Sequence, residues 1–429
     1  MRTRMRTGLA LCLVAALCSA SAASELVLTG VPEYANYGGS SPTSGAMLLA
    51  YWASQPGYVG LLDTGSLPVI HEQISSTEHL TWFYSETECW HWNDPYPEGP
   101  NSIACFMHTD PSSSLTRGWN IPTGLRRFAA WDDPRVSGSD SYAFSAQNHY
   151  VYRDYWQPES SARPGTFTFD SLKYQISLDR PLLLNLSIVG GGLSVLAYGY
   201  QDNGPGDQWF AVRDTWVNGN SNGSHGVSAK VEGDVEWWRW VTATNDGNWG
   251  NSYYVSDAVY CQPNTQGLIA EVEGNNSLAQ AQPIPFVSDT STVMGAIAVA
   301  LDQDWFSFFA PAGASLILTT QHDYGDTSAT NTVLDLYDPA GTLLRSNNDF
   351  WNAFEGGLTY LSHLWYEASV DGTYYARVTG AGLSIGDYQL VLSVLPAGEA
   401  QQPVPLPPAL VLSIVGASLA FVLKKRLSS

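Results

Sequence analysis

The feature that most constrains this chain is a change of texture near residue 263. From Glu271 onward the sequence is a series of short runs in which apolar and polar residues alternate. They are WFSFF (305–309), SLILTT (315–320), VLDLYD (333–338), TYYARV (373–378) and YQLVLS (388–393), separated by Gly, Asp and Asn turns. A side-chain period of two predicts half-buried strands, and several such strands at regular spacing predict an antiparallel sandwich. The region before residue 263 reads differently. There GGSSPTSGAMLLAYW (38–52) places apolar residues at helical spacing from Thr43 to Trp52 after a Gly-Gly turn, while PLLLNLSI (181–188) reads as a strand. A chain of 429 residues exceeds what one core usually organises. The predicted order is an α+β domain over 23–262, a linker over 263–269 and an all-β domain over 270–395.

Both ends read as addresses. Arg2, Arg4 and Arg6 precede the apolar run LALCLVAAL (9–17) and the small-residue site ASA (20–22), the three parts of a secretory signal occupying residues 1–22. Signal peptidase is the partner this implies. In the last segment, 396–429, VPLP (404–407) leads into an apolar run from Ala409 to Leu423 and the basic cluster Lys424, Lys425 and Arg426. The run is shorter than the roughly 20 residues of a permanent span. One reading is a C-terminal membrane anchor with its basic cluster inside. The pattern also closely resembles the PEP-CTERM sorting signal of Gram-negative bacteria. That resemblance implies cleavage by an exosortase, a transient transmembrane segment, and delivery to the cell surface, outer membrane or exopolysaccharide matrix. The charge balance, 19 Lys+Arg against 40 Asp+Glu for a net of −21, repels phosphate backbones and excludes nucleic acid as a partner.

Three segments of the first region carry a second resemblance. GSSPTSGAM (39–47) with the aromatic helix end Tyr51-Trp52, GGLSVLAYGYQD (191–202), and WFAVRDTW (209–216) together resemble the C39-like, papain-fold cysteine peptidases. The stretches SIACFMHT (102–109) and FDSLKYQISLDRPL (169–182) resemble that family's connecting segments. The resemblance implies Ser40 at the nucleophile position, Leu193 at the histidine position, Asp214 at the orienting position and Asn36 near the oxyanion-hole glutamine. Peptidase chemistry of this type needs a thiolate, an imidazole to take its proton and a group that orients the imidazole. Only the last is retained here. Ser40 is accordingly expected to cap a helix rather than to attack a carbonyl. The alternative is an active extracellular hydrolase using Ser40 with an unrecognised base, and His225 is the first candidate for that base.

In the second region EGNNSLAQAQ (273–282), LDQDWFSF (301–308), LDLYDPAGTL (334–343) and DGTYYARV (371–378) resemble the bacterial pre-peptidase C-terminal domain, a jelly-roll sandwich. The fold expected overall is therefore a papain-like α+β domain followed by an all-β jelly-roll sandwich. The resemblance also implies calcium, a hard cation taking oxygen ligands, at Glu273, Asn275, Asn276, Asp302 and Asp304. Asx turns and caps are the other use of those residues. Three cysteines survive processing, with Cys89 and Cys105 the local disulfide choice and Cys261 left over. The histidines His71, His79, His91, His108, His149 and His225 are expected on solvated loops. Trp90, Trp92, Trp156 and the run WWRW (237–240) are either a sugar-stacking platform or core packing. The function expected is an exported surface or matrix protein with binding or structural roles toward peptide or exopolysaccharide ligands.

Overall fold

The computed structural model describes residues 24–80, 101–131, 141–151, 167–188, 191–215, 229–242, 253–264, 267–286, 289–321, 330–348, 350–352, 357–359 and 362–395. The first core is organised by one antiparallel sheet. Its strands are β1 (Ser24–Val27), β2 (Phe144–Tyr150), β3 (Leu182–Ile188), β4 (Gly191–Asp202), β5 (Gln208–Arg213), β6 (Ala229–Glu232), β7 (Val235–Arg239) and β8 (Tyr253–Pro263). They run in the order β2-β8-β3-β4-β5-β7-β6, with β1 paired to β4. Among the described residues, the helices that accompany it include α1 (Ser40–Ala53), α2 (Leu67–Ile74), α3 (Ile103–Phe106), α4 (Asn120–Ala130) and α5 (Phe169–Ser177).

The helix α1 is central because its sequence offers no polar stripe. Every residue from Ser41 to Tyr51 is buried, and its small residues let neighbours approach closely. A Cβ added at Gly45 would lie 2.8 Å from Met107 Cε, and one at Gly124 of α4 would lie 2.5 Å from Met107 Cγ. Met107 is thus wedged between α1 and α4 by two positions that admit no side chain.

The second core lies between two five-stranded sheets. One has the order β10 (Gln282–Pro283), β12 (Gln303–Ala310), β19 (Gly372–Gly380), β14 (Thr332–Tyr337), β15 (Leu343–Asn347). The other has the order β18 (His363–Glu367), β13 (Ser315–Gln321), β20 (Gly386–Leu395), β11 (Thr290–Ile297), β9 (Ile269–Ala270). A small hairpin pairs β16 (Phe350–Asn352) with β17 (Gly357–Thr359). Inward residues such as Phe306, Leu316, Leu318, Leu336, Tyr374 and Leu390 are fully buried, as the alternating runs require.

The papain-like α+β domain followed by a jelly-roll is not what this chain forms. The protein is mostly β, with several sheets and few helices. The helical spacing from Thr43 to Trp52 belongs to α1 alone and does not extend to the rest of the first region. The other helices are only 8, 4, 11 and 9 residues long. Residues 144–263 instead supply strand after strand to one sheet.

The two cores meet along a polar seam. Edge strand β2 turns Ser145, Gln147 and His149 toward the second core. Gln147 Nε2 donates to Thr319 Oγ1 at 2.8 Å, Ser393 Oγ donates to Gln147 Oε1 at 2.6 Å, and Ser145 Oγ meets Thr292 Oγ1 at 3.3 Å. Gln321 Nε2 donates to the Ala146 carbonyl at 3.3 Å. Beside them Asp289 accepts from Arg180 Nη1 and from Gln262 Nε2, both at 2.8 Å. His149 is 1% exposed, and neither ring nitrogen has a hydrogen-bond partner. Its ring stacks on Tyr260 with centroids 3.8 Å apart.

Candidate functional site

The start of α1 answers what faces Ser40. Gly39, not Ser40, is the helix N-cap, with φ 124°, a conformation an L side chain rarely adopts. A Cβ there would also sit 2.9 Å from the Ser114 carbonyl oxygen. Ser40 is the first helical residue, and its Oγ accepts a hydrogen bond from the Ser194 backbone N–H at 3.2 Å. Leu193, on β4, is buried in the apolar core and offers no proton acceptor. Asp214 is 4% exposed directly after β5, and the neighbouring Thr215 carbonyl accepts from Asn36 N–H at 2.7 Å. Asn36 itself is exposed, and its Oδ1 accepts from Gly39 N–H at 3.2 Å, so this oxygen closes the turn into α1. The chain thus gathers Asn36, Ser40, Leu193 and Asp214 around one helix end, with an amide opposite the hydroxyl. His225 and His91 lie outside the described residues.

Beneath Ser40 runs a buried polar chain that sequence reasoning missed. Ser41 Oγ meets Ser194 Oγ at 2.8 Å, Ser194 Oγ donates to Asn185 Oδ1 at 2.7 Å, and Asn185 Nδ2 donates to Asp257 Oδ1 at 2.6 Å. Ser256 Oγ donates both to Asp257 Oδ2 at 3.0 Å and to the Asn185 carbonyl at 2.8 Å. Burial pushes the Asp257 carboxyl up to about 6, against the opposing hydrogen bonds from Asn185 and Ser256. The only signal in the sequence was a polar residue interrupting each of two apolar strands.

The remaining sequence candidates separate. His71 stacks flat on Tyr37, with centroids 4.1 Å apart. His79 and His149 are buried rather than solvated. Trp237, Trp238 and Trp240 are core residues, so they present no open sugar platform, while Trp90, Trp92 and Trp156 lie outside the described residues. Cys105 and Cys261 are free buried thiols, and Cys89 also lies outside the described residues.

In the second core the acidic candidates regroup around a residue the motif did not include. Asp304 on β12 is fully buried: Oδ2 accepts from Tyr388 Oη at 2.8 Å, and Oδ1 has no hydrogen-bond donor. Burial and the facing Glu271 carboxylate hold the Asp304 carboxyl well above the usual carboxylate range. Glu271 accepts from Ala296 N–H through Oε2 at 2.8 Å and from Asn275 Nδ2 through Oε1 at 3.2 Å. Asn275 is 2% exposed, and its Oδ1 is a second buried acceptor with no donor. Gly295 makes the cradle possible, since a Cβ there would lie 2.5 Å from Tyr388 Oη and 2.8 Å from Glu271 Oε2. Asp302 instead accepts from the Ala298 and Gln303 amides at 3.1 and 3.0 Å, and Glu273 and Asn276 face solvent. Among the described residues no three His, Cys, Asp or Glu side chains form a ready metal site. The donor set here is two carboxylates and an amide oxygen. Glu271 was missed because it lies just before the matched motif.

No family model matches the chain, and no curated protein does. Among solved structures, the chain is similar to a periplasmic inhibitor of g-type lysozyme from Aeromonas hydrophila, at 11% identity over 30% of this chain and 99% of that one, with a TM-score of 0.21. It is also similar to the pre-peptidase C-terminal domain of a Bacillus anthracis collagenase, at 17% identity over 26% and 93%, with a TM-score of 0.20. A third is CorA, a surface-associated copper-binding protein of Methylomicrobium album BG8, at 8% identity over 27% and 97%, with a TM-score of 0.20. Scores this low define neither a shared fold nor a shared activity. Among the described residues no helix is long and apolar enough to cross a membrane, and the segments read as export and sorting signals lie outside them.

Proposed function

We propose that this chain is an exported surface or matrix protein that binds or scaffolds rather than hydrolyses, and that its second core is closed by a calcium ion. The export reading rests on the two terminal address segments, with signal peptidase and an exosortase as the processing partners. Glu271, Asn275 and Asp304 would hold the ion. The observation that carries this reading is the pair of buried oxygens, Asp304 Oδ1 and Asn275 Oδ1, that have no donor beside the Glu271 carboxylate. A fully buried carboxylate facing a half-buried one is stabilised by either a shared proton or a cation. Calcium accepts carboxylate and amide oxygens together, with water completing the shell. The non-hydrolytic reading is supported by the amide opposite Ser40 and by the apolar side chain at position 193.

The test is thermal unfolding of the full chain with excess calcium and with EDTA. An ion held only by the folded state raises the melting temperature by an amount that grows with the logarithm of its free concentration above Kd. Equal melting curves in the two buffers, unchanged by Asp304→Asn, would remove the calcium assignment.

A further inference from the structure

Outside both sites described above, the first core holds a thiol with an unusual set of neighbours. Cys105 lies in the short helix α3, after the N-cap Ser102. Its Sγ is 3.3 Å from His79 Nδ1, and Ser102 Oγ donates to it at 3.1 Å. Asn101 Oδ1 is 3.5 Å from the sulfur and is itself held by Ser76 Oγ at 2.6 Å. Ser76 Oγ also accepts the His79 backbone N–H at 3.1 Å, which ties the imidazole-bearing segment to the thiol-bearing one. Cys105 is 6% exposed and His79 2%.

Cys261 is the internal contrast. It too is buried, at 2% exposed, but the hydrogen bond at this residue goes to its backbone carbonyl, from Trp52 Nε1. Burial drives its thiol well above the ordinary range. At Cys105 burial acts in the same direction, yet the hydrogen bond and charge of His79, with the Ser102 hydroxyl, outweigh it and bring the thiol down to about 7. Without those donors, a sulfur this deeply buried would be inert.

We infer that Cys105 and His79 form an oxidant-reactive thiol site that takes a small, uncharged hydroperoxide. The thiolate is stabilised by two donors, His79 Nδ1–H and Ser102 Oγ–H. Charged or bulky electrophiles are disfavoured by the burial of the pair, whereas hydrogen peroxide needs little more room than water. In the reaction the Cys105 thiolate attacks one peroxide oxygen, an S–O bond forms and the O–O bond breaks. The departing hydroxide takes the proton from His79 and leaves as water. Sulfur is oxidised by two electrons to the sulfenic acid and the peroxide is reduced.

The experiment exposes the full native chain to hydrogen peroxide from pH 6 to 10, quenches, and alkylates the remaining thiols in denaturant before peptide mapping. Lowering a thiol from 9 to about 7 raises its thiolate fraction at pH 7 from about 1% to about half. Cys105 is therefore expected to disappear at least tenfold faster than Cys261 at pH 7, with a rate half-maximal near pH 7. His79→Asn is expected to slow it about tenfold at pH 7 and to move the midpoint toward 9. Where Cys261 becomes reactive in that variant, marking a lost fold, Ser102→Ala replaces it and is expected to move the midpoint in the same direction. Loss of Cys105 no faster than of Cys261, a midpoint near 9 in the wild type, oxidation confined to Cys89, or variants that leave the pH 7 rate unchanged would each overturn the inference.

Discussion

The seam histidine gives the most direct link between structure and a measurable quantity. Burial lowers His149 from 6.5 to about 3, with the nearby His363 adding to the effect, so the folded protein keeps its ring neutral. An unfolded chain binds that proton as soon as the pH falls below about 6.5. The folded pKa is the depressed one, so stability is intact above pH 6.5 and drains away as pH falls from there toward 3. At pH 5 the deficit is one and a half pH units, about 2 kcal/mol at 1.36 kcal/mol per unit. His149→Phe keeps an aromatic ring against Tyr260 and removes the titration. The carboxyl of Asp257, raised to about 6, works in the opposite direction and adds stability as pH falls, but it is present in both proteins and cancels in the difference. Thermal unfolding of wild type and variant by near-ultraviolet circular dichroism at pH 7.5 and pH 5 reads that difference. The wild type is expected to lose about 2 kcal/mol relative to the variant over this interval, or roughly 4–8 °C at 2–4 °C per kcal/mol. Parallel shifts in the two proteins would refute the reasoning.

If the proposed calcium ion binds in the second core, it would displace the proton that burial and the facing Glu271 hold on the Asp304 carboxyl. Titration near pH 7 in buffers of different ionisation enthalpy is therefore expected to show proton release on binding, and buffer-independent heats would contradict it. At the turn into α1, Gly39→Ala combines a left-handed φ with a Cβ pressed against the Ser114 carbonyl. The expected destabilisation is about 1–3 kcal/mol in denaturant unfolding, and a neutral substitution would show that the turn relaxes. The mature protein is expected not to cleave peptide substrates; cleavage abolished by Ser40→Ala would restore the hydrolase reading.

How much could be read from the sequence follows from which interactions leave a periodic trace. The runs at 305–309, 315–320 and 388–393 became β12, β13 and β20 because alternation records one buried face, and Thr43–Trp52 fell inside α1 because its apolar spacing is helical. Counting strands in the first region failed. Stretches such as FSAQNHY (β2) and YYVSDAVYCQP (β8) are interrupted by polar residues that face either the seam or the buried Asn185–Asp257 chain. The same blindness hid Glu271 and the pairing of Cys105 with His79, since each depends on residues far apart in the chain. Aligning Ser40 with a cap was wrong by one residue. Only Gly can adopt the φ found at 39, a preference carried by the Gly-Gly pair.

The seam on β2 bears on how the protein is made. Among the described residues its contacts are mainly amides, hydroxyls, a backbone carbonyl and the Arg180–Asp289 ion pair, with the buried Ile317 and Val391 on the same face of the second half, while most other apolar residues are enclosed in two separate cores. Either half left waiting for the other therefore presents a face that is largely polar, with Ile317 and Val391 as its apolar exceptions in the second half. A polypeptide delivered progressively, amino terminus first, can finish its leading half and hold it without clumping until the trailing half emerges. The joint then closes through directional hydrogen bonds, so the halves register by the position of individual donors rather than by the extent of a greasy patch.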